Sequence, residues 1–266
     1  MATEDTTTFV LLHGGRHGGW CWSPVARRLR AAHYEVHTPT LTGLGDRAHL
    51  LSREIGLDTH VRDLVAACEF EDVRNAVLVA HSYGGMVVAG AMEHLADRIR
   101  CLVLLDAHIP RTGESMLDLI GAARAAELVG LANSRGEGWY IPPVGAAYYG
   151  VTDPEAAAWL EIRMTAQPLK TYRDPVGSTD RAWDHPSLFV ECVPSALAPQ
   201  TLARARERSA ADPRFHYRVL ETSHNAMVTD PEAVTALLLE ATALPAPAHS
   251  SVGESRSSVS AGQLSA

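Results

Sequence analysis

Several things are scarce or missing in this chain of 266 residues. Its four cysteines, Cys21, Cys68, Cys101 and Cys192, form no paired motif. That excludes a disulfide framework or a thiolate zinc cluster and leaves reduced, mostly buried thiols as the expectation. No apolar run approaches the ~20 residues needed to cross a bilayer. The start, Met1-Ala2-Thr3-Glu4-Asp5, has neither the basic nor the apolar region of a secretion signal, so a cytoplasmic location is expected. There is no basic run, and 23 Lys and Arg against 31 Asp and Glu give a net charge of −8, which argues against nucleic acid or an anionic membrane as partner. A small-molecule substrate is the expected partner, with a second copy of the chain, as a homodimer, left open. What is abundant is apolar residues, 46% of the chain, enough to bury one substantial core.

The periodicity predicts an α/β protein. Strands are expected at 8–12, 34–37, 75–80, 101–105, 187–193 and 214–220, with helices between them. The runs Val77-Leu78-Val79-Ala80 and Leu102-Val103-Leu104-Leu105 are continuously apolar. Such runs suit parallel strands covered on both faces.

The third of these strands turns abruptly into a helix through Ala80-His81-Ser82-Tyr83-Gly84-Gly85. This is the nucleophile elbow G-x-S-x-G with Ala80 in place of its first glycine. A tight strand-to-helix turn tolerates only small neighbours, projects the hydroxyl of Ser82 over the sheet edge, and aims the Tyr83 N–H at a developing oxyanion. The plain alternative is a serine that caps the helix. Two other segments favour catalysis. The first strand runs into His13-Gly14-Gly15-Arg16-His17-Gly18-Gly19-Trp20-Cys21-Trp22, a glycine-rich loop placed where the second oxyanion donor of such hydrolases arises, with Gly15 as the candidate N–H. The loop lacks the lysine and hydroxyl of a phosphate-binding loop and the spacing of a dinucleotide fingerprint, so no nucleotide cofactor is expected. So many glycines also make a helical His13/His17 metal site improbable, and no metal is expected. Trp20 and Trp22 read as packing residues. Near the end, Tyr217-Arg218-Val219-Leu220 runs into Ser223-His224-Asn225, which puts His224 after the last strand and before the last helix, the place of the general base.

With these segments in hand, the chain resembles the α/β-hydrolases of the plant methylesterase and hydroxynitrile lyase group, and more closely their bacterial esterase relatives, over about residues 8–242. The resemblance rests on the glycine loop, the elbow, Leu104-Leu105-Asp106-Ala107-His108-Ile109-Pro110 and Ser223-His224-Asn225-Ala226-Met227. It implies an α/β-hydrolase fold, a mostly parallel sheet of about six strands with helices on both faces, in residues 1–244. It also implies a helical cap inserted at about 111–184, after the strand ending at Asp106. The Pro, Ala, Ser and Gly-rich stretch 245–266 reads as a disordered tail.

The triad acid is the least defined member. In most members of the fold it follows the penultimate strand, here Leu188-Phe189-Val190-Glu191-Cys192, but no aspartate stands close behind it. Asp106 is the substitute, since a carboxylate at the end of a neighbouring parallel strand can reach the same imidazole, and the bacterial relatives carry a similar Leu-Asp-Ala run. Glu191 is the alternative.

The implied chemistry is ester cleavage through an acyl-enzyme, by Ser82, His224 and Asp106, with Gly15 and Tyr83 as oxyanion donors and no cofactor. In the plant lyases a threonine follows the first loop histidine and a lysine follows the catalytic histidine. Here Gly14 and Asn225 stand there, and the missing cation argues for an esterase. Aromatic residues in the cap, Trp139, Tyr140, Tyr148, Tyr149 and Trp159, suggest a roof over a small aromatic or apolar ester of specialised metabolism. The substrate-contact candidates are His17, Trp139, Tyr140, Tyr149 and Trp159. A non-hydrolytic cyclase, lyase or C–C cleaving enzyme, for which His17, His81 and His108 are the spare acid–base groups, and a ligand receptor with weak catalysis are the other uses of such a scaffold.

Overall fold

The computed structural model describes residues 7–245. The tail expected to be disordered, 245–266, lies outside the described residues but for Pro245.

Six strands form one sheet: β1 Thr8–Leu12, β2 Glu35–His37, β3 Ala76–His81, β4 Ile99–Leu105, β5 Ser187–Cys192 and β6 Phe215–Leu220. All adjacent pairs are parallel, in the order β2-β1-β3-β4-β5-β6. The strands expected from the sequence are all present, with ends that differ by one or two residues. Alternation along the central strands explains their unbroken apolar character. In β3, Val77 and Val79 point into one core layer with Phe9, Leu11, Val103 and Leu105, while Leu78 and Ala80 point into the other with Val10, Leu12, Leu102 and Leu104. Side chains of a strand alternate between faces, so a sheet covered on both sides must be apolar at every position.

The helices are α1 Ser23–Ala31, α2 Leu57–Phe70, α3 Gly84–Leu95, α4 Met116–Ile120, α5 Ala122–Arg135, α6 Pro154–Glu161, α7 Lys170–Arg173, α8 Pro199–Ala211, α9 Ala226–Thr229 and α10 Pro231–Ala241. Helices α1 and α10 cover one face, with Val25, Leu29, Val234 and Leu238 in that layer, and α2 and α3 cover the other with Leu64, Met86 and Met92. No helix among the described residues is long and apolar enough to cross a membrane.

Between β4 and β5 the alternation breaks, and the chain instead forms α4 to α7 with a two-residue antiparallel pair, Tyr140–Ile141 against Gln167–Pro168. Within the expected helical cap, residues 116–135 form two helices, α4 and α5, rather than one. Gly121 adopts φ 81° between them, a left-handed conformation that interrupts helical hydrogen bonding and suits glycine. The start of α4 is fixed by a capping box in which the Asp118 N–H donates to Ser115 Oγ at 3.2 Å and the Ser115 N–H donates to Asp118 Oδ2 at 2.9 Å.

Candidate active site

Parallel strands that leave the sheet in one direction deliver their following loops to one edge. At that edge the loops after β1, β3, β4 and β6 bring Arg16, Ser82, Asp106 and His224 together.

Ser82 follows β3 directly and has φ 53°, a left-handed conformation that costs a non-glycine residue of order 1 kcal/mol or more. The turn is held by hydrogen bonds from the Ser82 N–H to Leu105 O at 3.4 Å, from the Gly85 N–H to Ser82 O at 3.1 Å and from the His108 N–H to Ser82 O at 3.1 Å. A Cβ at position 85 would collide with the carbonyl of His108, which is the physical reason for the small residue there. Tyr83 immediately precedes α3, so its N–H is among those that lack an acceptor within the helix. Its buried ring is locked from the other end. His60 Nε2 donates to Thr42 O at 3.0 Å, which leaves Nδ1 to accept from the Tyr83 hydroxyl at 3.0 Å. Burial holds the His60 pKa down to about 4, so the imidazole is neutral, as that pattern requires.

His224 is 4% exposed and Asp106 0%. His224 Nδ1 donates to Asp106 Oδ2 at 2.5 Å. The other carboxylate oxygen, Oδ1, accepts from Ser195 Oγ at 2.9 Å and from the Cys192 N–H at 3.3 Å. The end of β5 and the loop after it, where most hydrolases of this fold were expected to keep their acid, therefore supply donors to a carboxylate that comes from the end of β4. Glu191, the alternative, is held by the exposed Arg206 at 3.0 Å and by the hydroxyl of the half-buried Tyr217. The backbone of His224 is pinned as well, with its N–H donating to Tyr149 O at 3.1 Å and its carbonyl accepting from His81 Nε2 at 2.9 Å. His81 is thus a packing and positioning group within the elbow, kept neutral by burial well below the ordinary histidine range.

The first loop is rigid. His13 Nδ1 donates to Gly14 O at 2.8 Å while its Nε2 accepts from the Leu41 N–H at 3.1 Å. His17 Nδ1 donates to Gly15 O at 2.7 Å. Burial keeps both imidazoles neutral, at about 4 and about 3.

Ser82 and His224 line a cavity of about 290 Å³ together with Arg16, His108, Met116, Ile120, Arg124, Leu128, Tyr148, Tyr149, Tyr172 and the stretch Ala196 to Ala198. Its volume is at the small end for ligand sites. Of the five side chains expected at the substrate, Tyr149 lines this cavity and the other four do not. His17 is buried against Trp20, Tyr149 and His81. Trp159 packs edge-on against Trp20 and under Arg163. Trp139 and Tyr140 pack against each other, with Arg53 over the Trp139 ring. All four are taken up in packing contacts away from the cavity lining, His17 behind the Tyr149 ring and the others with rings and cations elsewhere in the cap and loops. Sequence reading also missed Arg16, Arg124, Tyr172 and the apolar lining from α4 and α5. A cation beside His224 was expected to be missing because Asn225 follows it; the first loop places Arg16 on the same cavity from a distant part of the chain.

Comparison with known proteins agrees with this architecture. Residues 9–237 match the Alpha/beta hydrolase family. A carbendazim hydrolyzing esterase of Nocardioides sp. (strain SG-4G) is 38% identical over 175 residues, 63% of this chain and 72% of that protein. Methylesterase 10 of Arabidopsis thaliana is 26% identical over 258 residues, 90% of this chain and 93% of that protein. Among solved structures, an extracellular alpha/beta-hydrolase from a Paenibacillus species superimposes with a TM-score of 0.76 at 20% identity, covering 89% of this chain and 98% of that one.

Proposed function

The chain belongs to the alpha/beta hydrolase family and is a hydrolase by class, and on that premise we propose that it is a serine carboxylesterase acting on a small aromatic or apolar ester through an acyl-enzyme. The observation that carries this reading is the constellation at one cavity: Ser82 on a strained turn, and His224 with Nδ1 2.5 Å from the fully buried carboxylate of Asp106.

With Nδ1 committed to Asp106, Nε2 is the nitrogen that takes the proton of Ser82 as its oxygen attacks the ester carbonyl. The resulting oxyanion is received by the N–H groups of Gly15 and Tyr83, each such donor contributing about 3–4 kcal/mol to the transition state. The proton on Nε2 passes to the departing alkoxide, leaving Ser82 acylated. Water then attacks, giving its proton to the same nitrogen, and collapse releases the acid and restores the serine. Asp106 keeps the imidazole in the required tautomer and stabilises its cationic form, and Ser195 and the Cys192 N–H hold Asp106 in place.

The relatives' names, methylesterase and carbendazim hydrolyzing esterase, support ester hydrolysis. The test is release of product from aryl esters and aryl methyl esters by wild type, Ser82→Ala, His224→Ala and Asp106→Asn. Turnover abolished by the first two and crippled by the third is the expected result. Turnover that survives Ser82→Ala would remove the nucleophile from the account.

A non-hydrolytic reading on the same site is favoured by one observation. His108 lines the cavity beside His224 with its pKa held down to about 3 by burial, and hydrolysis gives it no role. Turnover in ¹⁸O-labelled water separates the two, since hydrolysis places one labelled oxygen in the released acid and a lyase or cyclase places none.

A further inference from the structure

Arg16 is conspicuous within the cavity. It is 4% exposed, yet it is one of the few non-glycine residues with a positive φ, 65°. Its backbone is clamped in that conformation from both sides. The Arg16 N–H donates to Gln167 Oε1 at 2.9 Å, and the Thr165 N–H donates to Arg16 O at 3.0 Å. A strained backbone that is held so firmly marks a side chain whose placement matters.

The guanidinium is held but not neutralised. Nε donates to the hydroxyl of Tyr149 at 2.8 Å, and the carbon of the group lies 5.4 Å from the Tyr148 ring centroid and 5.8 Å from that of Tyr149. Two aromatic faces and one hydroxyl orient a cation, but no carboxylate pairs with it among the described residues, and its buried Nη1 has no hydrogen-bond partner. Burial disfavours charge, but a guanidinium does not shed its proton in a protein. The outcome is a buried, charged, incompletely satisfied donor, which is costly unless something completes it.

The surroundings have the matching sign. Arg16 and Arg124 line the cavity and no Asp or Glu does, although the whole chain carries a charge of −8. Arg124 lies 4.1 Å over the Tyr148 ring and pairs with the exposed Glu127, and it is itself partly exposed, so it stands nearer the rim than Arg16. Arg16 is also positioned relative to the chemistry. Tyr149, whose hydroxyl holds Nε, lays its ring parallel to that of His224, with centroids 5.9 Å apart and an interplanar angle of 8°. One side chain, that of Tyr149, therefore links Arg16 to His224.

We infer that the substrate carries a carboxylate on its acyl part, separated from the scissile ester by about the width of a ring, and that Arg16 binds it. This rests on the esterase reading for the word ester, but the anion site itself stands on the geometry of Arg16. A planar carboxylate accepts two hydrogen bonds from the free edge of a guanidinium, and the fixed fork makes Arg more selective than Lys for that task. Arg16 is a binding and specificity residue here and takes no part in proton transfer.

The test compares methyl benzoate with monomethyl terephthalate, which differ by one carboxylate across the ring. Binding is measured by calorimetry on Ser82→Ala, where no turnover intervenes. The anionic ester is expected to bind about tenfold to a hundredfold more tightly than the neutral one. Adding Arg16→Gln erases the preference and Arg16→Lys retains part of it. Equal affinities in Ser82→Ala, no measurable binding of the anionic ester, or a preference that survives Arg16→Gln would each overturn the inference, and the first two need no substitution at Arg16 that might unfold the loop. The esterase reading is judged separately, by turnover of either ester by wild type. An Arg16-dependent preference without turnover would keep the anion site and discard the esterase.

Discussion

The floor and the roof of the cavity are built by different means. The floor consists of loops that leave β1, β3, β4 and β6 within a few residues of the strand ends, and each functional group there is fixed by backbone hydrogen bonds to its neighbours, as Ser82 is to Leu105, Gly85 and His108. The roof comes from α4, α5, the turn at Tyr148 and Tyr149, and α7, all in the insertion between β4 and β5, and is fixed by rings, cations and side-chain hydrogen bonds. A site assembled in this way keeps its chemistry when its roof changes. Substitutions of Ser82, His224 or Asp106 on the floor should therefore abolish reaction, and substitutions in the roof, or of Arg16 that the roof tyrosines hold, should alter which molecules react.

The sharpest way to break that contrast is at the floor. Ser82→Ala and His224→Ala are each expected to lower kcat by about 10⁴-fold or more while leaving the thermal midpoint close to that of wild type, checked by ester turnover alongside thermal unfolding. A comparable rate loss from a roof substitution such as Leu128→Ala would erase the distinction. Asp106→Asn should cost about 10²–10⁴-fold in kcat, because an amide facing Nδ1 permits the wrong tautomer. Glu191→Gln should leave kcat/KM unchanged, since its partners are Arg206 and Tyr217. Steady-state kinetics of that pair tests the assignment of the acid, and the reverse pattern would hand the role to Glu191.

Acid should undo the floor as a unit. His13, His17, His60 and His108 are held by burial at about 4, 3, 4 and 3 against an ordinary 6.5. Below pH 6.5 the unfolded chain takes up protons at these positions and the folded chain does not. Their stabilisation is thus complete above pH 6.5 and is lost as the pH falls toward 4 for His13 and His60 and toward 3 for His17 and His108, by about 1.4 kcal/mol per pH unit for each histidine. Urea midpoints measured from pH 7.5 down to pH 5 should fall steeply, and a midpoint that holds or rises on acidification would show these imidazoles to be accessible in the folded state. The smallest effect belongs to the roof. Tyr149→Phe preserves the ring stacked on His224 and removes the acceptor for Arg16 Nε. Its expected signature is a KM raised severalfold with kcat little altered, and a fall in kcat with KM constant would instead tie the hydroxyl to the chemical step.

The same contrast explains what the sequence could convey. The strands, the tight turn at Ser82 and the chain order of Ser82, Asp106 and His224 as neighbours of one edge were legible because short-range rules govern them: continuous apolar runs for covered strands, small residues for a tight turn, a histidine after the last strand. Asp106 could be named as a candidate because β4 runs beside β3, and its carboxylate lies 2.5 Å from His224 Nδ1. The roof was not legible. Trp139, Tyr140 and Trp159 share composition with Tyr148, Tyr149 and Tyr172, and only the partners they meet in space, Arg53, Trp20 and Arg163 for the first group, decide which of them face the cavity. Arg16 was hidden among the glycines around it. A lone charged residue inside a glycine-rich loop that leads off a buried strand was the available signal. Its partners lie more than 130 residues further along the chain, beyond the reach of any local pattern.

The central claim, that Ser82 is a nucleophile activated by His224, is tested most directly by mass mapping after exposure to an aryl fluorophosphonate, which traps an activated serine covalently. The account predicts a single adduct on Ser82 in wild type, absent in Ser82→Ala and strongly slowed in His224→Ala. A folded wild-type protein that forms no adduct on Ser82, or that is labelled equally fast without His224, would contradict it.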